Sequence, residues 1–288
     1  MANLVDVLSA VDDRPATESG AFVVDGDRAG AVFVETSQVC WAAASGRGGR
    51  LRDLLRHHAA RALEATELDD VVSHCRDEHR AFGAELEARA LISNLGLRAA
   101  LKQHTVESLI AQCDGSHAVT WVPHRQRGYR ARFTFPPIEL LAAAGAELYP
   151  REAAGADRNL ALVPTAARTA GSFVIGDDDE AVAVQVAGSA VLPVRNVLEL
   201  GNWAAAALAA CNGFSPAVMA RALGETSGTA ALGWRSARRL VHVAVLDDHD
   251  ALGALVAQLH QLGHPAVLSS RLSALHAGAE RSTSQSAL

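Results

Sequence analysis

The chain has 288 residues, of which 49% are hydrophobic and 20% are charged, and its formal net charge is −6 at pH 7. This length suits two domains of roughly 100 to 150 residues better than one. A nucleic-acid-binding domain normally carries a basic field, so the acidic balance argues against nucleic acid as a partner. Because no run approaches the roughly 18 apolar residues of a spanning helix, we also predict no membrane partner.

The cysteines indicate a reducing compartment. They lie far apart, with no closely spaced pair, so we expect neither a disulfide framework nor a zinc site but reduced, buried thiols. The N-terminus has no basic region before an apolar core, which argues against a secretory signal. We therefore predict a cytoplasmic protein. The four cysteines are Cys40, Cys75, Cys113 and Cys211.

Turn residues and short apolar runs organise the start of the chain. An apolar period over residues 1–17 predicts a short helix that ends at Pro15, because proline forbids continuation. Short strands at residues 21–24, 31–34 and 39–42, separated by tight turns, predict an antiparallel meander.

Helical spacing of apolar residues dominates the next stretch. Leucines predict helices over residues 51–95 and 97–113, with a break near Asp69 or Asp70 that would cap the following helix. A strand is predicted at 117–122 and a helix at 138–146. We expect the aromatic residues that alternate near this strand to be buried in a core: Trp121, Phe133 and Phe135.

The apolar pattern stops over residues 147–160 and then restarts. We predict that 149–160 form a linker, and that the tail 271–288, which is polar and rich in small residues, is disordered. The elements predicted between them are a hairpin over 172–186, a long apolar helix over 194–211, a short helix over 216–223, strands at 229–234 and 240–245, and a helix over 248–262.

The predicted fold class follows from these elements. It is α+β, with two small domains that each combine an antiparallel sheet with packed helices. The first domain covers residues 1–148 and carries a helical insertion. The second covers residues 161–270.

Three polar clusters have an ordinary structural interpretation. The segment 74–79 places Cys75 and His79 four residues apart on a helix, as two metal ligands could be, but no third ligand follows by spacing. We interpret it as a solvated helix face. The acidic run 176–180 is interpreted as a hairpin tip, and Asp248 as a helix N-cap. We predict no metal, no cofactor and no catalytic residue.

The densest basic stretch of the chain lies at residues 124–132. If a strand forms near Tyr129, the side chains of Arg130 and Arg132 share one face and could clamp a phosphate, a nucleotide or an acidic partner. A solvated hairpin is the alternative. The candidate ligand- or partner-binding residues are Arg125, Arg127, Arg130 and Arg132.

Residues 19–24, 30–35 and 38–42 follow an order of glycine, strand, turn, strand and apolar-alanine segment. With residues 109–141, which supply a strand and a helix, this half resembles the PATAN domain, also called domain of unknown function 4388, of bacterial regulatory proteins. It departs from that family at Ser37, where glycine is usual. The resemblance implies an adaptor in bacterial signalling.

The second half has the order hairpin, long helix, hairpin and final helix. This order is similar to the Roadblock/LC7 fold, whose members are non-catalytic dimers that often bind small GTPases. The resemblance implies a homodimer and a protein partner, such as a small GTPase or a response-regulator system.

Both resemblances make a non-catalytic signalling adaptor the first function hypothesis. The long helix at 194–211 is its candidate self-association surface, because small side chains around Trp203 permit close backbone approach. The second hypothesis is a regulator that binds a nucleotide or second messenger through the arginines at 125–132, and the third is a metal-dependent enzyme using residues 74–79. The candidate self-association residues are Trp203, Ala206, Ala207 and Ala210.

Overall fold

The computed structural model describes residues 2–25, 29–47, 49–78, 82–113, 119–189, 192–211, 216–221 and 229–268. The fold is α+β, as predicted. Contacts divide the chain into two compact units, Met1–Pro136 and Pro137–Leu288. Within the described ranges, no helix combines the length and apolar character needed to cross a bilayer. The tail predicted to be disordered lies outside the described residues.

The first unit contains a four-stranded antiparallel sheet in the order β3-β2-β1-β4. The predicted meander is confirmed, and its second turn uses Thr36 and Ser37, both with positive φ. The strands are β1 (Ser19–Val24), β2 (Gly30–Glu35), β3 (Gln38–Ala44) and β4 (Val119–Pro123).

The helices of the first unit contact this sheet mainly through the longest of them, residues 94–112, which packs on the third strand. Leucines between residues 54 and 97 pack into one cluster, in which Leu55, Leu68 and Leu97 are almost fully buried. The predicted N-cap at Asp69 or Asp70 is wrong, because both residues lie inside a helix that begins at Ala65. The helices are α1 (Ala2–Asp12), α2 (Arg50–His57), α3 (Ala65–Asp77), α4 (Phe82–Ala88) and α5 (Asn94–Gln112).

The end of the first unit differs from the predicted core of three buried aromatic residues. Ala131–Phe133 is a short 3₁₀ helix, and Phe135 forms a single bridge to Val39, with N–H to O distances of 2.8 and 2.9 Å. Phe135 is fully buried, but Phe133 and Trp121 are only half-buried. The prolines that follow lack an N–H, so pairing cannot extend past the bridge.

The second unit contains a six-stranded sheet in the order β10-β7-β8-β9-β5-β6. Its neighbours are antiparallel except β10 and β7, so the expected fully antiparallel sheet carries one parallel pair. The short helix predicted at 216–223 is wrong, since its described part is the strand β7. The strands are β5 (Thr169–Ile175), β6 (Ala181–Ala187), β7 (Ala217–Arg221), β8 (Ala230–Ala237), β9 (Leu240–Leu246) and β10 (Ala266–Leu268).

Four helices pack on this sheet. The acidic segment 176–180 is the β5–β6 turn, as predicted. Asp248 caps the last helix, also as predicted, because its carboxylate accepts the Asp250 N–H at 2.8 Å. The helices are α6 (Pro137–Leu148), α7 (Pro150–Leu160), α8 (Val194–Ala209) and α9 (His249–Gln261).

The segment predicted as a linker at 149–160 is helical instead. Helix α7 starts at Pro150, a residue suited to a first helical turn, and buries Ala156 against Val174 and Leu240 of the sheet. Helix α6 also belongs to this unit, since a methyl group on Gly145 would clash with the Ala183 carbonyl of β6. The residues of α7 that face the sheet are small, so they give only a weak apolar period in the sequence. For this reason the sequence pattern predicts a linker where the structure has a helix.

Candidate functional site

A cavity of about 630 Å³ lies in the first unit, between the β2–β3 face of the sheet and helices α2, α4 and α5. This volume is in the range of typical small-molecule sites. Phe33 and Trp41 pair across β2 and β3 and form part of one wall. The lining residues from the helical side are Leu51, Leu55, Phe82, Gly83, Ala84, Leu97 and Leu101.

Aromatic rings make up much of the surface of this cavity. Phe33, Trp41, Phe82 and Phe133 all line it, and each is only half-buried. The Trp41 ring stacks on the ring of His104, with ring centroids 4.5 Å apart and planes 11° from parallel. Burial lowers the pKa of His104, so the supporting ring is neutral at neutral pH. The cavity therefore offers rigid apolar surface to a ligand.

The segment 124–130 closes one side of the cavity as an extended loop. It is anchored by Glu35, a residue at the end of β2 that is only 3% exposed. That carboxylate accepts hydrogen bonds from three successive main-chain N–H groups, of Arg127, Gly128 and Tyr129, the last two at 3.1 and 3.3 Å. Consecutive N–H groups of this kind form anion-binding nests, and here the chain's own carboxylate occupies the nest.

The four predicted arginines differ in their contacts and in whether they line the cavity. The guanidinium groups of Arg130 and Arg132 converge on Glu87, at 3.5 and 2.6 Å, so they do share one partner, although no strand aligns them. The Arg127 guanidinium lies 5.5 Å from the centroid of the Phe33 ring. Arg127 and Arg130 line the cavity, whereas Arg125 and Arg132 do not.

The charges on the cavity wall are of one sign. Its described lining contains two arginines and no aspartate or glutamate.

Cys40 also lies among the lining residues. Burial, together with the nearby Glu35 carboxylate, raises the pKa of its thiol to about 12. A thiol with this pKa is protonated at neutral pH and is a poor nucleophile. The arrangement suits binding of an anion that has an apolar body.

Sequence reasoning identified the arginines but missed the aromatic wall. The sequence pattern predicts strand positions for Phe33 and Trp41 but no cavity, and it predicts a core position for Phe133. The exposure of Phe33 and Trp41 is visible only in the structure, where each half-buried ring lies between two fully buried neighbours on its strand. Half-buried aromatics beside an arginine loop indicate a ligand site more than a core.

The other predicted clusters do not form a site with this cavity. Cys75 is buried in the leucine cluster, and the Nε2 atom of His74 lies 3.6 Å from carboxylate oxygens of both Glu78 and Glu85. His79 lies outside the described residues. Among the residues the structure describes, no three His, Cys, Asp or Glu side chains gather as metal ligands would.

The predicted self-association residues lie along the outer side of α8. Ala206 and Ala210 are exposed, while Trp203 and Ala207 are half-buried. The sequence predicts a long apolar helix here, but the first half of α8 is apolar on one side only. There the exposed positions carry polar side chains: Arg195, Glu199 and Asn202.

A second polar cluster lies inside the sheet of the second unit. His242 on β9 is fully buried, and its Nδ1 and Nε2 atoms lie 2.8 and 2.6 Å from the hydroxyls of Ser172 and Ser236. Burial, followed by the neighbouring His264, lowers the pKa of His242 to about 4. A neutral imidazole can donate a hydrogen bond to one serine hydroxyl and accept one from the other. The two serines therefore provide hydrogen-bond partners for both ring nitrogens of the buried histidine.

Comparison with known proteins gives no match: no family model, curated protein or solved structure matches the chain.

Proposed function

We propose that the chain is a non-catalytic regulatory protein that binds a small anionic molecule in the cavity of its first unit. The observation that carries this proposal is the composition of the cavity wall. Apolar and aromatic side chains surround a space of about 630 Å³, and its only charged lining residues among those described are Arg127 and Arg130. Burial of an apolar ligand against such a wall is favourable, and the two guanidinium groups can pair with a negative charge on that ligand.

A regulatory role fits the chemistry of this wall better than catalysis. The one thiol in the lining belongs to Cys40, whose raised pKa keeps it protonated. Arginine stays charged and serves to bind anions rather than to transfer protons. The side chains at the cavity therefore favour binding and positioning.

Thermal unfolding of the wild-type chain and of a cavity-filling variant tests this proposal. Ala84 lines the cavity from α4, so Ala84→Phe places a ring in the space a ligand would use. A ligand at 100 times its dissociation constant stabilises the native state by about 2.7 kcal/mol. We expect anions with apolar bodies to raise the unfolding temperature of the wild type only. Equal stabilisation of both proteins would contradict a site in this cavity.

A second candidate function is that of a self-associating signalling adaptor, and the order of elements in the second unit favours it. The β5–β6 hairpin, α8, the β8–β9 hairpin and α9 occur in the order by which this half resembles Roadblock/LC7 proteins, with β7 inserted between α8 and β8. On this proposal the chain forms a homodimer and binds a protein partner such as a small GTPase.

The resemblance of the first unit to PATAN domains supports the adaptor proposal more narrowly. The β1–β3 meander and β4 correspond to the segments that carry it. The helix expected to close that domain is α6, which packs on the sheet of the second unit. On this proposal the PATAN-like part ends before Pro137, whereas the sequence predicts that it extends to residue 148.

We propose the cytoplasm as the location of this function. None of the four cysteines, all of which lie in the described part of the chain, forms a disulfide, and this supports the proposed location. Two of them, Cys40 and Cys113, have thiol pKa values raised by burial to about 12 and about 11, which slows their oxidation.

A further inference from the structure

The cavity wall narrows the class of ligand further than "small anion". We propose, resting on the function proposed above, that the ligand is a hydrophobic monoanion, an apolar body with one carboxylate or sulfonate-like group, and that Arg127 selects its charge. The inference depends on three features of the site. The main-chain N–H groups of the loop already bind the Glu35 carboxylate, the arginines differ in whether they have a carboxylate partner, and the aromatic rings of the wall are only half-buried.

The occupied nest argues against a nucleotide. Polyphosphates are usually held by successive main-chain N–H groups together with several cations. At this loop the N–H groups of Arg127, Gly128 and Tyr129 already donate to the Glu35 carboxylate. A phosphate chain would have to displace that carboxylate, which is buried and carries the same sign of charge. The loop is therefore unsuited to polyphosphate.

The partners of the arginines single out Arg127. Arg130 and Arg132 share the carboxylate of Glu87, which neutralises part of their charge. Within the described part of the chain, the Arg127 guanidinium contacts the face of Phe33 and has no carboxylate in ion-pair distance. A guanidinium at the edge of an apolar cavity can form a two-pronged contact with one carboxylate or sulfonate. One such cation matches one negative charge.

The half-buried rings account for the apolar body. Phe33, Trp41, Phe82 and Phe133 line the cavity and are only half-buried, so part of each ring faces the cavity. Burying that surface is favourable roughly in proportion to its area. Inorganic phosphate or a small hydrophilic anion would leave the rings uncovered and gain none of this free energy.

Two fluorescent probes that differ by one charge test the inference on the full chain. Anilinonaphthalene sulfonate has an aromatic body and one sulfonate, and phenylnaphthylamine has a similar body without charge. In fluorescence titrations we expect the wild type to bind the sulfonate at least about tenfold more tightly than the neutral probe. Arg127→Gln should remove about tenfold of the sulfonate affinity and change the affinity for the neutral probe less than about twofold.

Three controls make the result specific. Arg125→Gln removes a neighbouring charge that does not line the cavity, and it should leave both affinities unchanged. ATP or inorganic phosphate in large excess should not displace the sulfonate probe beyond the effect of matched salt. Ala84→Phe should abolish binding of both probes. Leu101→Trp fills the cavity from α5 and repeats the test if the first variant is unstable.

The outcomes separate this inference from the proposed function. If filling the cavity abolishes both probes, but the two probes bind equally or Arg125→Gln acts like Arg127→Gln, the ligand site stands and the monoanion inference is overturned. Displacement by ATP also overturns it. If a folded, cavity-filled variant keeps full affinity for both probes, both proposals fail.

Discussion

The carboxylate of Glu35, at the end of β2, accepts a 3.1 Å hydrogen bond from the main-chain N–H of Gly128, 93 residues later in the chain. Gly128 has φ of +70°, a conformation that glycine adopts without steric cost. The pair fixes the position of the arginine loop over the cavity, since the two residues that flank Gly128 donate to the same carboxylate.

Removing this anchor should loosen the loop and weaken binding together. We expect Glu35→Ala to lower the free energy of unfolding by about 1 to 3 kcal/mol, because several N–H groups lose a charged acceptor. Amide hydrogen exchange at residues 127–129 should become faster. Glu18→Gln is the matched control, because Glu18 forms an exposed ion pair with Arg14, a type that contributes about 0 to 1 kcal/mol. Unchanged exchange in Glu35→Ala would show that the carboxylate does not hold the loop.

The buried His242 should make stability depend on pH. The pKa of this histidine is about 4 in the folded protein, against an ordinary value of 6.5. Between these values the unfolded chain binds more protons, so the free energy of unfolding falls as the pH decreases from 6.5 to 4. At about 1.4 kcal/mol per pH unit, the loss from this group is roughly 3 kcal/mol.

Urea denaturation at several pH values, on the wild type and His242→Gln, measures this contribution. The glutamine amide can still contact Ser172 or Ser236 but does not titrate, so its curve should be flatter over this window. Carboxylates titrate in both proteins and cancel in the difference. Parallel curves for the two proteins would contradict a depressed pKa at His242.

The elements that were predicted well are those whose pattern is local. Strands β1 to β3 alternate between turn residues, and α8 carries a long apolar run, so each is visible within a short window. Strand β7 was mistaken for a helix because a short run of Ala, Val and Met fits both periods. Helix α7 was missed because its buried face consists of alanines such as Ala153 and Ala156.

The candidate site was only partly visible for a different physical reason. The arginines stand out as a basic run, but the wall is assembled from residues that lie far apart in sequence, between Phe33 and Phe133. Nothing local distinguishes a half-buried aromatic from a buried one. The acceptor shared by Arg130 and Arg132 is Glu87, which no spacing rule connects to them.

Two neighbouring phenylalanines should differ in their effect on stability. Phe135 is fully buried, and its ring lies under the guanidinium of Arg98 at 4.6 Å, so Phe135→Ala should cost about 3 to 5 kcal/mol. Phe133 is half-buried beside the cavity, so Phe133→Ala should cost about 1 kcal/mol. Denaturant unfolding of both variants makes the comparison. Equal losses would mean that Phe133 lies in a closed core.

Self-association should depend on the outer side of α8. If the adaptor proposal holds, the full chain sediments as a dimer, and Ala206→Arg yields monomers because a charged side chain would enter a close helix contact. Ala257→Arg is the control, since Ala257 is exposed on α9, away from that surface. A wild-type chain that stays monomeric at high concentration would rule out the dimer.

Isothermal titration calorimetry of the full chain with anilinonaphthalene sulfonate tests the ligand site most directly. We predict one site per chain and a negative heat-capacity change, the mark of apolar surface leaving water. The same titration of a folded Ala84→Phe variant should give no heat above dilution. Several weak sites per chain, or an unchanged isotherm in Ala84→Phe, would contradict a ligand site in this cavity.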